Sequence, residues 1–234
     1  MALQIFSLLE KQIAKCRFIY LPLKKVKVFI QKTAYYLLKL TGKDRNHIYD
    51  DQFFNHNLKT NIPIAKDLVD ILYNYFHPES VVDVGCGTAE YLAEFNRLGI
   101  KIKGYEGSPA ALKKAMVSGN FIQLADLREK IKSDERYDLA LCLEVAEHIE
   151  SRYSKILVDN LASLSDTIIF SAAIPGQGGH FHINEQPHEF WIGLWQERNY
   201  ILRKDIIEAL KEQMRERGIL WWYTANLMVF LKSE

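Results

Sequence analysis

The sequence predicts an α/β fold, a mostly parallel sheet covered by helices on both faces, with a helical extension in front of it. Three observations carry this. Apolar runs of strand length recur at 80–84, 100–105, 121–124, 139–143 and 167–171. Helical patterns stand between them at 88–98, 108–117 and 152–164, the spacing of strand-helix-strand units. The first run ends in Asp83-Val84-Gly85-Cys86-Gly87-Thr88, a glycine turn at the carboxyl end of a strand, where open α/β sheets receive ligands.

Taken in order, the chain begins with a basic segment that Pro22 divides into two predicted helices, 2–17 and 24–40, the second ended by Thr41-Gly42. Residues 1–45 therefore read as an amphipathic helical extension and 46–234 as one catalytic-sized domain. Residues 1–43 hold nine Lys or Arg against one acid, Glu10, although the net charge of the whole is only +1. Such a segment either caps an acidic domain or lies peripherally on a membrane surface. Nucleic acid is not expected, since the basic residues form no reading motif and the acidic remainder repels phosphate. The stretch Tyr49-Asp50-Asp51-Gln52-Phe53-Phe54 precedes a helix predicted over 63–76 with Pro63 in its first turn. Near the end a helix at 204–217 separates strands at 200–203 and 227–231. Cys16, Cys86 and Cys142 are too scattered for a disulfide framework or a zinc site. With no long apolar run and no secretion-signal order at the start, a cytoplasmic location is expected.

The residues that end the strands form a consistent set. Glu106-Gly107 follows the second run, 23 residues after Asp83, a spacing that suits a carboxylate accepting hydrogen bonds from both hydroxyls of a ribose. Asp126-Leu127 follows the third, an acid for an exocyclic amine beside an apolar side chain for a ring. Cys142 and Glu144 close the fourth. A dinucleotide fits poorly: the third glycine of its fingerprint falls at Glu90, whose carboxylate repels pyrophosphate at a helix N-terminus. An acid-lined pocket suits a cationic, phosphate-free nucleoside better.

The segment Ser80-Val81-Val82-Asp83-Val84-Gly85-Cys86-Gly87-Thr88 resembles motif I of the class I S-adenosylmethionine (SAM)-dependent methyltransferases. Glu106, Asp126 and the stretch from Tyr137 through Glu144 to His148 match the order of that family's later motifs, and the likeness covers roughly 60–232. It implies a Rossmann-like seven-stranded sheet in the order 3-2-1-4-5-7-6 with strand 7 antiparallel. It also implies SAM as cofactor, leaving as S-adenosylhomocysteine, with Gly85 and Gly87 beside the methionine part. The cofactor set is then Asp83, Gly85, Cys86, Gly87, Glu106, Gly107, Asp126, Leu127, Cys142 and Glu144, with Cys86 and Cys142 read as buried packers rather than nucleophiles. One departure is Ala89, where the family often has a third glycine.

After the fifth run comes Ile174-Pro175-Gly176-Gln177-Gly178-Gly179, then His180, Phe181, His182-Ile183-Asn184-Glu185-Gln186, and Phe190-Trp191. This stretch is similar to one found in a bacterial subgroup of these methyltransferases, as is the late Trp221-Trp222-Tyr223 with Asn226. It lies at the sheet edge that carries the cofactor loops, so it is the expected acceptor site. A hydroxyl acceptor benefits from a base, and His182 is nominated, with Glu185 orienting it and His148 as the alternative. His180, Gln186, Trp191, Trp222, Tyr49 and Phe53 are expected to contact the acceptor, with Tyr49, Phe53 and Phe54 as a lid and Trp195 in the pocket wall. Each histidine alone reads equally well as a loop anchor. A divalent metal held by His180, His182 and His188 with Glu185 or Glu189 is not favoured, because no two of these histidines have i, i+4 spacing. The expected function is O-methylation of a small polar acceptor such as a sugar or glycan. The alternatives are N- or carboxyl-methylation of a small molecule and a non-catalytic SAM-binding scaffold.

Overall fold

Val81, Val82 and Val84 make Ser80–Val84 (β1) a β-branched run buried on both faces, and it takes the middle of the sheet. Around it stand β2 (Lys101–Glu106), β3 (Ile122–Leu124), β4 (Leu139–Leu143), β5 (Thr167–Ser171), β6 (Tyr200–Leu202) and β7 (Met228–Lys232). The computed structural model describes residues 26, 30, 31, 33–37, 40 and 48–233. The strand order is β3-β2-β1-β4-β5-β7-β6, with β7 antiparallel to β5 and β6 and the other pairs parallel. This is the Rossmann-like sheet that the sequence predicts.

Period-two alternation sorts the strand residues between two cores. Val81, Leu139, Leu141 and Ile169 face the helices α1 (Asp51–Phe76), α2 (Glu90–Arg97) and α6 (Lys204–Glu216). Val82, Val84, Ala140, Cys142 and Phe170 face α4 (Ser154–Leu164) and α5 (His188–Gln196). Strand order reverses between β1 and β4, and that switch point opens the crevice in which such sheets bind ligands.

Four helices depart from the sequence expectation. The helix predicted from Pro63 begins twelve residues earlier: α1 runs Asp51–Phe76, and the Asp50 carboxylate accepts from the N–H groups of Gln52 and Phe53, both at 3.0 Å. Pro63 sits inside it, where the missing N–H costs about 3 kcal/mol. The apolar stripe of Phe54, Ala65, Leu68, Val69 and Leu72 holds the helix together across that break while Pro63 itself faces solvent. The helix expected over 108–117 is only Pro109–Leu112 (α3), capped by Ser108; beyond it the Met116 N–H turns to the Thr88 carbonyl at 2.9 Å instead of continuing the helix. Two helices went unforeseen, α5 and α7 (Trp221–Asn226). The first of the two leader helices, 2–17, lies outside the described residues; those described between 24 and 40 are helical. Among the described residues no helix is long and apolar enough to cross a membrane.

Candidate active site

The glycine turn after β1 is shaped by two positive φ values, +87° at Gly85 and +54° at Gly87. Gly85 also passes so near Val145, on the loop after β4, that a Cβ there would lie 2.5 Å from a valine methyl. Its N–H and that of Cys86 donate to the Tyr105 carbonyl at 2.7 and 3.3 Å, which fastens the turn to the end of β2. Gly87 then donates to Glu106 Oε2 at 2.9 Å, and Ser108 N–H to Oε1 at 2.6 Å, so both oxygens of Glu106 are oriented from behind. Ala89, where a third glycine is common in the family resembled, takes a left-handed conformation at φ 62°, which accounts for the preference.

These residues border one cavity of about 1020 Å³, lined by Asp83, Gly85, Cys86, Gly87, Glu106, Gly107, Asp126, Leu127 and Glu144, among others. Cys142 is not among them: it faces the second core and is fully buried. Cys86 touches the cavity, but burial, and then the charges of Asp83 and Glu106, push its thiol up, so it stays protonated. Asp126 is engaged from the side by Arg128, whose guanidinium donates to both oxygens at 3.0 to 3.3 Å. Asp83 is held well above the usual carboxylate range by burial and by Glu90 and Glu106. Burial also raises Glu106, against the lowering effect of the N–H groups of Ser108 and Gly87. A buried cluster of acids, in which Glu90 and Glu106 raise Asp83 and Glu90 raises Glu106, suits a ligand bearing positive charge, and the sulfonium and amino groups of SAM meet that description. Sequence reasoning missed the network behind the cluster, in which Thr88 Oγ1 and Asn61 Nδ2 donate to Glu90 at 2.6 and 2.7 Å and Tyr91 donates to Tyr223 at 2.8 Å.

At its other end the cavity meets the loop after β5. Ile183 and Asn184 donate their N–H groups to the Glu147 carbonyl at 2.9 and 3.0 Å, tying this loop to the one after β4. That pairing brings His182 against His148, ring centres 5.0 Å apart and edge to face. Gly179 lets His182 in, since a Cβ on it would lie 2.1 Å from the imidazole. His182 Nδ1 stands 3.4 Å from Glu185 Oε1. Glu185 accepts from the N–H groups of Gly176 and Gly178 at 2.8 and 2.6 Å, and although burial pushes it up, His182 and these donors hold it below the usual range. Burial pushes His148 well below the usual imidazole range, so it is neutral at pH 7. Glu144, at φ 55°, accepts from Asn226 Nδ2 at 3.0 Å and from Gln177 Nε2 at 3.4 Å.

Tyr49 and Phe53 cover this end, Tyr49 edge-on to His148 at 5.5 Å and Phe53 against His180 at 5.1 Å. Phe54 and Trp222 also line the cavity. His180 lines it too, with Nε2 3.1 Å from the Ile48 carbonyl. Three residues expected at the acceptor lie elsewhere. Trp191 and Trp195 point from α5 into the core against Phe170, because 191, 194 and 195 form its buried stripe. Gln186 donates to Asn184 at 2.9 Å, outside the cavity lining. Glu185 is not in the lining either, and reaches the site through His182. Among the described residues, the side chains that gather donor atoms within 4.8 Å of one another are Glu147, His148 and His182, not the histidine and acid set considered from sequence.

Residues 54–219 match a family model described as a methyltransferase domain. The chain is 27% identical over 97 residues to a ubiquinone biosynthesis O-methyltransferase of Rickettsia typhi, a match covering 38% of each chain. Among solved structures it is similar to the magnesium protoporphyrin IX methyltransferase of Synechocystis PCC 6803 with bound SAM, at TM-score 0.54 and 17% identity over 87% of this chain and 97% of that one. It is also similar to a sugar N-methyltransferase from Streptoalloteichus sp. ATCC 53650, at TM-score 0.55 and 15% identity over 73% and 87%. With the family model spanning most of the domain, the strand order and the acid-lined glycine turn, the chain belongs to the class I SAM-dependent methyltransferases and uses SAM as its cofactor.

Proposed function

We propose that the chain methylates a hydroxyl oxygen of a small polar acceptor, with a sugar or glycan as the acceptor class. The observation that carries this is the pairing of His182 with the ionised Glu185 at the end of the cavity opposite the glycine turn. SAM supplies a methyl group on a sulfonium, open to in-line displacement. The chain's own task is to hold the acceptor oxygen in that line and to take its proton, and positioning supplies much of the acceleration. In the reaction the acceptor oxygen forms the new O–C bond, the C–S bond breaks with its electron pair left on sulfur, and the hydroxyl proton passes to the imidazole of His182. Glu185 acts as a positioning residue, keeping the ring oriented. His148 is the second imidazole within reach, and Tyr49, Phe53 and Trp222 offer ring faces to a sugar or other flat acceptor. Asp83, Glu106, Asp126 and Glu144 hold the cofactor, with Glu106 on the ribose hydroxyls and Asp126-Leu127 at the adenine.

An oxygen acceptor agrees with the partial match to a ubiquinone biosynthesis O-methyltransferase. The rival, transfer to an amine, agrees with the fold neighbour that is a sugar N-methyltransferase. Acceptor screening with radiolabelled SAM, native against His182→Ala, tests the reading. A hydroxyl acceptor whose kcat falls on the order of 100-fold or more in the variant, with S-adenosylhomocysteine binding retained, supports it. An amine acceptor with a modest change overturns it.

A further inference from the structure

We propose that Glu147, His148 and His182 form a binding site for one divalent transition-metal cation at the acceptor end of the cavity. One oxygen of Glu147 and one ring nitrogen from each histidine lie within 4.8 Å of one another. Metal bonds of about 2.0–2.2 Å place such ligands about 3 Å apart, so small side-chain rotations complete the set. The placement is built in. The loops after β4 and β5 are held together by the two N–H bonds to the Glu147 carbonyl, and Asn184 Nδ2 donates to the Ala146 carbonyl at 3.2 Å.

Glu147 supplies the second, independent observation. It is fully buried, it lines the cavity, and neither of its side-chain oxygens makes a hydrogen bond of good geometry, although the N–H groups of Glu147 and Ala173 bear on the carboxylate. Buried carboxylates are normally paired, because an unsatisfied one is left with its full desolvation penalty. Among the described residues neither Glu147 nor the adjacent Glu144 forms an ion pair with Lys or Arg. A cation answers that deficit, and a set of two imidazoles and one carboxylate selects Mn2+, Fe2+, Co2+ or Zn2+ over Ca2+.

Binding of the cation stands on this geometry alone; its use in catalysis rests on the hydroxyl reading above. With the cation in place, His148 and His182 serve as ligands. A bound cation would supply Lewis-acid activation of the acceptor hydroxyl, in place of the base role given to His182 above.

The test uses the full chain after treatment with EDTA, titrated with Mn2+ and followed by electron paramagnetic resonance, with Co2+ visible absorption as a second probe and no acceptor present. The expected result is one Mn2+ per chain, weakened on the order of 100-fold in Glu147→Gln and His182→Asn and unchanged in His188→Gln. In the native protein, spin-echo modulation of bound Mn2+ shows imidazole nitrogen, a readout that needs no variant to fold. A chain that binds S-adenosylhomocysteine but neither Mn2+ nor Co2+, or whose bound Mn2+ shows no imidazole nitrogen, overturns the site. That outcome leaves His182 as a base and the hydroxyl reading intact. Failure to find a hydroxyl acceptor, conversely, leaves the cation titration unaffected.

Discussion

Replacing Glu106 by Gln separates cofactor binding from folding. In the native chain Gly87 and Ser108 each donate an N–H to a different oxygen of this carboxylate. The remaining lone pairs are what a ribose diol would use. In Glu106→Gln one oxygen becomes an amide NH2, which cannot accept, so one hydrogen bond to a charged acceptor is lost on the cofactor side. Such a bond contributes about 1.5–3 kcal/mol, and S-adenosylhomocysteine affinity should fall about 10- to 150-fold. Stability should change less: the lost acceptor for a loop N–H is offset by removing one of three acids buried near one another. Calorimetric titration alongside thermal unfolding of the ligand-free chain reads both quantities. The pH dependence adds a sign. Burial raises Glu106, so native binding should weaken as pH falls, beginning above the ordinary carboxylate range, and the variant should lose that dependence. A folded variant that binds within about 3-fold of native, too small a loss for a charged hydrogen bond, refutes the assignment of Glu106 to the ribose.

Three further outcomes follow from the same geometry. Gly85→Ala meets both a φ of +87° and the Val145 methyls, and should destabilise the chain by about 2–5 kcal/mol; adding Val145→Ala should recover the steric part only, as a double-mutant cycle of melting temperatures will show. Asp83→Asn should stabilise the ligand-free chain at neutral pH while weakening SAM binding. The sign follows from the raised Asp83: between its unfolded value of 3.8 and its higher folded value the native state binds more protons, so native stability falls as pH rises through that window, and the advantage of Asn should vanish at its acid end. Gly179→Ala displaces His182 and should lower kcat with little change in S-adenosylhomocysteine affinity; equal losses in both would show that the loop serves the cofactor instead.

The strands of the parallel core were legible because a run buried on both faces reads as continuous Val, Ile and Leu; the ends of β1, β4 and β5 coincide with the predicted ones, and those of β2 and β3 differ by at most one residue. The start of α1 was hidden by Pro63, whose usual place is a first turn; the Asp50 cap and the buried Phe54 were the signals for the longer helix. α5 was hidden by the reading of Trp191 and Trp195 as pocket walls, although 191, 194 and 195 carry helical spacing. Within the site, strand-end residues could be located because topology fixes where a strand ends. Glu90, Tyr91, Asn61 and Tyr223 could not, since their network joins three helices whose mutual packing is not local in sequence. The approach of Glu147 to His182 belongs to the same class: 35 positions separate them, and only the N–H bonds from Ile183 and Asn184 to the Glu147 carbonyl bring them together.

That junction also explains why the two halves of the cavity are not independent. Strand order reverses between β1 and β4, so the loop after β4 is the neighbour of both the glycine turn and the loop after β5. Within six residues it turns through a left-handed Glu144, packs Val145 against Gly85, and presents Glu147 and His148 to the acceptor end. A shift of Val145 therefore moves the floor beneath the cofactor turn and the side chains facing the acceptor together. The loop around Gly179 reaches the cofactor side only through Gln177, which donates to Glu144; its other contacts run to the β4 loop, Ile48 and Phe53. Substitutions in 143–148 and of Gln177 should accordingly change cofactor affinity and turnover together, whereas those in 178–182 should change turnover alone.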